Sequence, residues 1–265
     1  MRPVSPVSQL SLFSAGARPP RPGDLAGLLC GPGQIVRFGS GDTARLSVVL
    51  ADPCRAPVVV AACAAVGIDA EQAVTESGAS VVRTAFRRDL VGLAQAWTGG
   101  RGEEAGAFRR TETDELTSPA SSLRDRGEEA GAHRRTEAEE SAPPASSLRE
   151  VKTVPPGMLL DGPVLRVWMV TAGRWDGRGV DLLLDPHAPQ THLALIAAAT
   201  RAGISPARSG RGTALRITGA RRIRRLVELL GPAPAGIAPD EWPEAGVPRS
   251  VDSAATLPSV RPTAR

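Results

Sequence analysis

Two stretches on either side of a repetitive middle carry the same succession of signals, and that pairing constrains the fold more than any other feature of the chain. Val59–Ile68 reads VVAACAAVGI and Leu195–Ile204 reads LIAAATRAGI, both Ala-rich helix patterns running into Gly and Ile. Gly67 and Gly203 stop the helix and lead into a strand. A hairpin signal follows each: Ala70–Thr75 and Ser80–Phe86 in the first stretch, Pro206–Ser209 and Thr213–Thr218 in the second. Closing helices come next, with Leu90, Leu93, Ala94 and Trp97 spaced like Ile223, Leu226, Val227 and Leu230. Each set forms one apolar stripe. Upstream, a short helix (Leu25–Cys30; Leu165–Thr171) precedes a strand (Ala44–Leu50; Val180–Leu184). This pattern predicts an α+β protein built from a duplicated unit, its two half-cores burying each other about a pseudo-two-fold axis.

The middle obeys a different rule. Arg101–Asp125 and Arg126–Glu150 are 25-residue units identical at 18 positions. Each offers one or two large apolar residues, too few to offset the entropy of ordering the chain. His133, which replaces Phe108 of the first unit, is therefore no ligand candidate. The expected organisation is a disordered arm at 1–22, a first half at 23–99, a disordered linker at 100–157, a second half at 158–231 and a disordered tail at 232–265.

Composition narrows the function classes. The apolar run Ala56–Ile68 is too short to span a bilayer, which takes about 20 residues. The N-terminus lacks the apolar core of a secretory signal, so a cytoplasmic protein without membrane contact is expected. Cys30, Cys54 and Cys63 form no CxxC pair and read as buried free thiols. The net charge is +4, and the stretch Pro186–Val227 contains no acid at all. His187 and His192 near Asp185 match no metal-ligand spacing; they read as a strand end and a helix start capped by Asp185 or Thr191. GPG at 31–33 lacks the Lys-Ser/Thr of a phosphate loop, and no GxSxG is present.

Asp24–Gln34, DLAGLLCGPGQ, resembles the LAGLIDADG signature of homing endonucleases, and Leu165–Gly173, LRVWMVTAG, is a looser second copy. With the duplicated layout around it, the chain is similar over about residues 23–99 and 158–231 to the N-terminal region of WhiA-type regulators. The resemblance implies two motif helices packed side by side through small residues, here Ala26, Gly27 and Gly31 against Ala172 and Gly173. In a nuclease of this type each motif ends in a carboxylate before its last Gly, and the two acids hold a divalent metal. Pro32 and Ala172 occupy those positions, and Cys30 replaces the other motif acid. No catalytic residue, metal site or cofactor is therefore expected.

The resemblance further implies a sheet saddle lying on DNA and a role in transcription regulation linked to cell division or sporulation. Arg83 and Arg216 sit at equivalent strand positions; Arg208, Arg211 and Arg216 are expected on one sheet face, and Arg221, Arg222, Arg224 and Arg225 around the closing helix. The expected DNA-binding set is Arg83, Arg208, Arg211, Arg216, Arg221, Arg222 and Arg225, contacting phosphates or serving a DNA-bound regulator. A WhiA-type regulator also carries a C-terminal helix-turn-helix, whereas the sequence after Gly231 is Pro-rich and lacks helical periodicity. The alternative is a protein-interaction module that makes no DNA contact.

Overall fold

A computed structural model describes residues 11–39, 41–99, 151–208 and 213–244. A 3-10 turn, Pro22–Leu25, leads into α1 (Ala26–Cys30). Then come β1 (Gln34–Phe38), β2 (Thr43–Leu50), α2 (Ala56–Ala65), β3 (Ala70–Val74), β4 (Ser80–Thr84) and α3 (Val91–Trp97). The second half runs α4 (Gly162–Ala172), β5 (Gly173–Trp175), β6 (Gly179–Leu183), α5 (His192–Arg201), β7 (Ala207–Arg208), β8 (Ala214–Thr218) and α6 (Ala220–Leu230). Two antiparallel four-stranded sheets result, ordered β1-β2-β4-β3 and β5-β6-β8-β7. Both halves thus share one order of elements and one order of strands. Among the described residues no helix is long and apolar enough to cross a membrane.

The helices and inner strands fall where periodicity and Gly stops put them. Gly67 and Gly203 take positive φ, 78° and 84°, as helix stops require. The sequence pattern marks no strand at β1 or β5. In β1 the alternation is weak because Val36 and Phe38 lie on the exposed face, and β5 is three residues joined to α4 without a turn.

Each sheet turns one face inward. Ala44, Leu46, Val48 and Leu50 of β2 are buried, and Val180, Leu182, Leu215 and Ile217 do the same for the second sheet. The closing helices add Leu90, Ala94 and Trp97, and Leu226, Leu229 and Leu230. Between the halves, α1 packs on α4 with backbone nearly touching backbone. A Cβ on Gly27 would lie 2.3 Å from the Val164 carbonyl oxygen, and one on Gly31 would lie 3.0 Å from Ala172 Cβ. Trp168 fills the joint and donates its indole N–H to Leu183 O at 3.0 Å.

The folded part reaches past the expected boundaries. In the stretch expected as an arm, Ala15 N–H donates to Leu229 O at 2.8 Å, and Arg18 forks onto Asp24 (2.6 and 3.0 Å) and reaches Asp161 at 2.8 Å. Beyond Gly231, Trp242 is buried and donates to Gly231 O at 3.0 Å. Residue 152, expected in the linker, is buried as well. Polar anchors hold these segments, and such anchors leave no apolar periodicity to read. Residues 1–10, the tandem repeat with His133, and residues 245–265 lie outside the described residues.

Cys30 and Cys63 are buried, and burial pushes the Cys63 thiol up to about 11. Cys54 departs from expectation. It is exposed, because it sits in a 3-10 turn (Pro53–Arg55) ahead of the apolar stretch of α2.

Candidate nucleic-acid interface and the ends of the paired helices

The carbonyl end of a helix carries partial negative charge, and α1 ends against a buried cation and α4 against a largely buried one. Lys152, the only lysine of the chain, donates from Nζ to Gly31 O (2.7 Å), Gly33 O (2.8 Å) and Asp185 Oδ2 (2.9 Å). Three acceptors satisfy its three N–H donors. Its side chain is 7% exposed and that of Asp185 1%. Asp185 also accepts from Gln34 Nε2 at 2.6 Å and from His187 N–H at 2.9 Å. At the end of α4, Arg55 Nη1 donates to Gly173 O (2.6 Å), Met169 O (3.2 Å) and Val170 O (3.3 Å). Glu241 at 3.3 Å and Asp52 at 3.7 Å balance its charge.

This arrangement decides how the helix ends treat a metal. Pro32 and Ala172 bring no oxygen ligand, and Lys152 and Arg55 engage the carboxylates nearby. The donor set does not fit a hard divalent cation, which needs several free oxygen ligands. Among the described residues no group of three or more His, Cys, Asp or Glu side chains is placed to hold a metal. Asp185 does not cap α5 but closes the turn at His187. Thr191 is the N-cap residue, yet its hydroxyl donates to Ala188 O at 2.7 Å. His192 Nε2 lies 2.9 Å from the Asp185 backbone oxygen, and His187 is exposed.

The buried pair gives stability a pH dependence. Burial works to raise the Asp185 pKa, but the Lys152 hydrogen bond and charge, helped by the His187 N–H and the Gln34 amide, hold it below the ordinary value. A carboxyl lowered on folding contributes stability above its unfolded pKa, about 3.9, which is lost as pH falls through the lower folded value. Thermal melts from pH 6 to pH 2 should show this acid loss in the wild type and a shallower one in Asp185→Asn. Identical acid limbs would contradict the role given to Asp185.

The arginines expected to meet DNA separate into distinct environments. Arg83 on β4 pairs with Glu71 on β3 at 2.9 Å, and Arg216 on β8 pairs with both Asp176 and Asp181. Arg225 is held by Glu228 at 2.8 Å and stands 5.4 Å from the ring centroid of Phe13. Arg208 does not share a face with Arg216. It pairs in register with Leu215, so it leaves β7 on the opposite side, at the sheet edge. Arg211 lies outside the described residues. On α6, Arg221, Arg222 and Arg224 are exposed, and among the described residues Arg222 alone of the three reaches an acceptor, Thr218 O at 3.4 Å. Arg174, which the sequence pattern does not single out, shares the outer sheet face with Arg216 and is exposed. Its one signal is its place directly after the second motif's Gly173.

The outer face of the first sheet is mixed, with apolar side chains beside Arg45, Ser47, Arg83 and Glu71. Val36, Phe38 and Val49 are 44%, 65% and 50% exposed. Phe86 packs against Phe38 with rings tilted by 45° and centroids 5.1 Å apart, under Arg45 at 4.6 Å.

No protein-family model matches the sequence. No curated protein matches it either.

Proposed function

We propose that the chain is a catalytically silent scaffold of the LAGLIDADG type, similar to the N-terminal region of WhiA-type regulators, that binds DNA phosphates or a DNA-bound regulator. The observation that carries this reading is the pair of helix ends. Where a nuclease of this type would present two metal-binding carboxylates, Pro32 and Ala172 stand, with Lys152 and Arg55 seated on the adjoining carbonyls. The shared element and strand order of the halves, and the close approach at Gly27, support a duplicated unit paired through its motif helices. The link to cell division or sporulation rests on the resemblance alone, and the role needs no cofactor.

We assign the DNA contact to α6. The sheet arginines Arg83 and Arg216 are already paired with carboxylates, and phosphates would have to displace those partners. Arg221, Arg222 and Arg224 face solvent, with no acid among the described residues bound to them. Backbone contact without base readout gives dissociation constants of about 10⁻⁴–10⁻⁶ M and a steep salt dependence. Fluorescence anisotropy of a labelled duplex at two salt concentrations tests this. The triple variant R221A/R222A/R224A should flatten the salt slope by about 0.9 for each phosphate it no longer neutralises. These exposed changes should leave folding within about 0.5 kcal/mol.

The second reading is a protein-interaction module, favoured by the exposed Val36, Phe38, Val49 and Phe86 on the first sheet. Exposed apolar side chains gathered in one place commonly mark a protein contact. Absence of low-salt DNA binding by the intact chain would remove the direct DNA contact and favour this reading.

A further inference from the structure

Away from the ends of α1 and α4, α2 and α4 frame an apolar groove that, among the described residues, contains one guanidinium and no carboxylate paired with it. Two adjoining pockets, of about 300 and 230 Å³, share Ala62, Arg166 and Val167. Val66 and Pro163 extend the larger, Val58 and Val170 the smaller. Arg166 projects from α4, and its Nη1 donates to Leu230 O at 2.7 Å and Pro232 O at 2.6 Å. The guanidinium lies 5.7 Å from the Trp242 ring centroid. Asp24 also lines the larger pocket, but Arg18 holds both of its oxygens.

A guanidinium has five N–H donors in a rigid fork. The two carbonyls engage Nη1, and among the described residues Nε and Nη2 meet no acceptor. Burial also lowers the Arg166 pKa, and no acid offsets that effect. A partly desolvated cation of this kind gains most from an anion that presents two oxygens to the fork. Apolar walls with one or a few oriented polar groups are the usual make-up of a small-molecule site.

We propose that this groove binds an amphiphilic monocarboxylate. Its apolar body lies along Ala62 and Val167, and its carboxylate accepts from Nε and Nη2 of Arg166. The competing role is purely structural, with Arg166 serving only as the cap of α6.

Calorimetric titration of the full chain with octanoate, and with octanol as the neutral control, separates the two. Octanoate should bind saturably and at least about tenfold tighter than octanol, the margin expected for a charged hydrogen bond. Arg166→Gln should bring octanoate down to the octanol level. Ala62→Phe fills the groove from α2 without touching the Arg166 hydrogen bonds. It should abolish binding of both probes while the melting temperature holds. The octanoate–octanol comparison uses the unaltered chain and needs no variant to fold. Failure of octanoate to saturate, equal affinity for the two probes, or unchanged binding in a folded Ala62→Phe protein would each overturn the proposal.

Discussion

Gly27→Val should abolish cooperative folding or cost about 3 kcal/mol or more, the upper end of overpacking penalties. A Cβ at this position would lie 2.3 Å from Val164 O, 2.7 Å from Trp168 N and 2.7 Å from Val167 Cβ. Two of those atoms belong to the α4 backbone, so no rotamer change relieves the clash and the helices must move apart. Moving them would open the joint that Trp168, Leu165 and Leu29 fill, each of them fully buried. A domain of ordinary stability, about 5–15 kcal/mol, has little margin for such a loss. Gly23→Ala is the matched control, because a Cβ there meets nothing within 4 Å. Urea melts of both variants check the claim. A Gly27→Val protein as stable as the Gly23→Ala one would mean that α1 and α4 do not touch.

Lys152→Met should be the next most damaging change, at about 3–5 kcal/mol, the usual cost of removing one partner from a buried ion pair. The variant strands Asp185, 1% exposed, with a charge that among the described residues only Gln34 and the His187 N–H still meet. It also frees the carbonyls of Gly31 and Gly33 at the end of α1. The double variant K152M/D185N should cost less than the sum of the single changes, since neither charge is then left alone. Additive losses in a double-mutant cycle would show that the two residues do not act as a pair. A Lys152→Met protein within about 0.5 kcal/mol of wild type would put Lys152 in solvent.

The helices and the inner strands are legible in the sequence because local signals specify them, whereas the small-residue seam of α1 and α4 is implied by the family resemblance. Gly stops, apolar stripes and hairpin turns each act within a few residues. The helix-end cations are not legible. Lys152 follows the polar repeat, and Arg55 stands in a Pro-Cys-Arg connector; both acquire their roles from carbonyls remote in sequence. The basic face is only partly legible for a related reason. Arg density marks a surface but not its pairing, and Glu71, Asp176, Asp181 and Glu228 each reach an arginine expected to meet DNA. The placement of Arg208 turns on register, since a shift of one residue sends a side chain to the other face of a sheet.

On the proposed reading, the paired helices form a binding scaffold in which the positions a related nuclease would use for catalysis serve structure. Supercoiled duplex DNA incubated with the pure protein at low salt, with magnesium or manganese present, tests it in one gel. The expected result is DNA that is retarded by the protein and recovered uncut after its removal, with metal or with chelator alike. Metal-dependent nicking or linearisation that the chelator abolishes would contradict it.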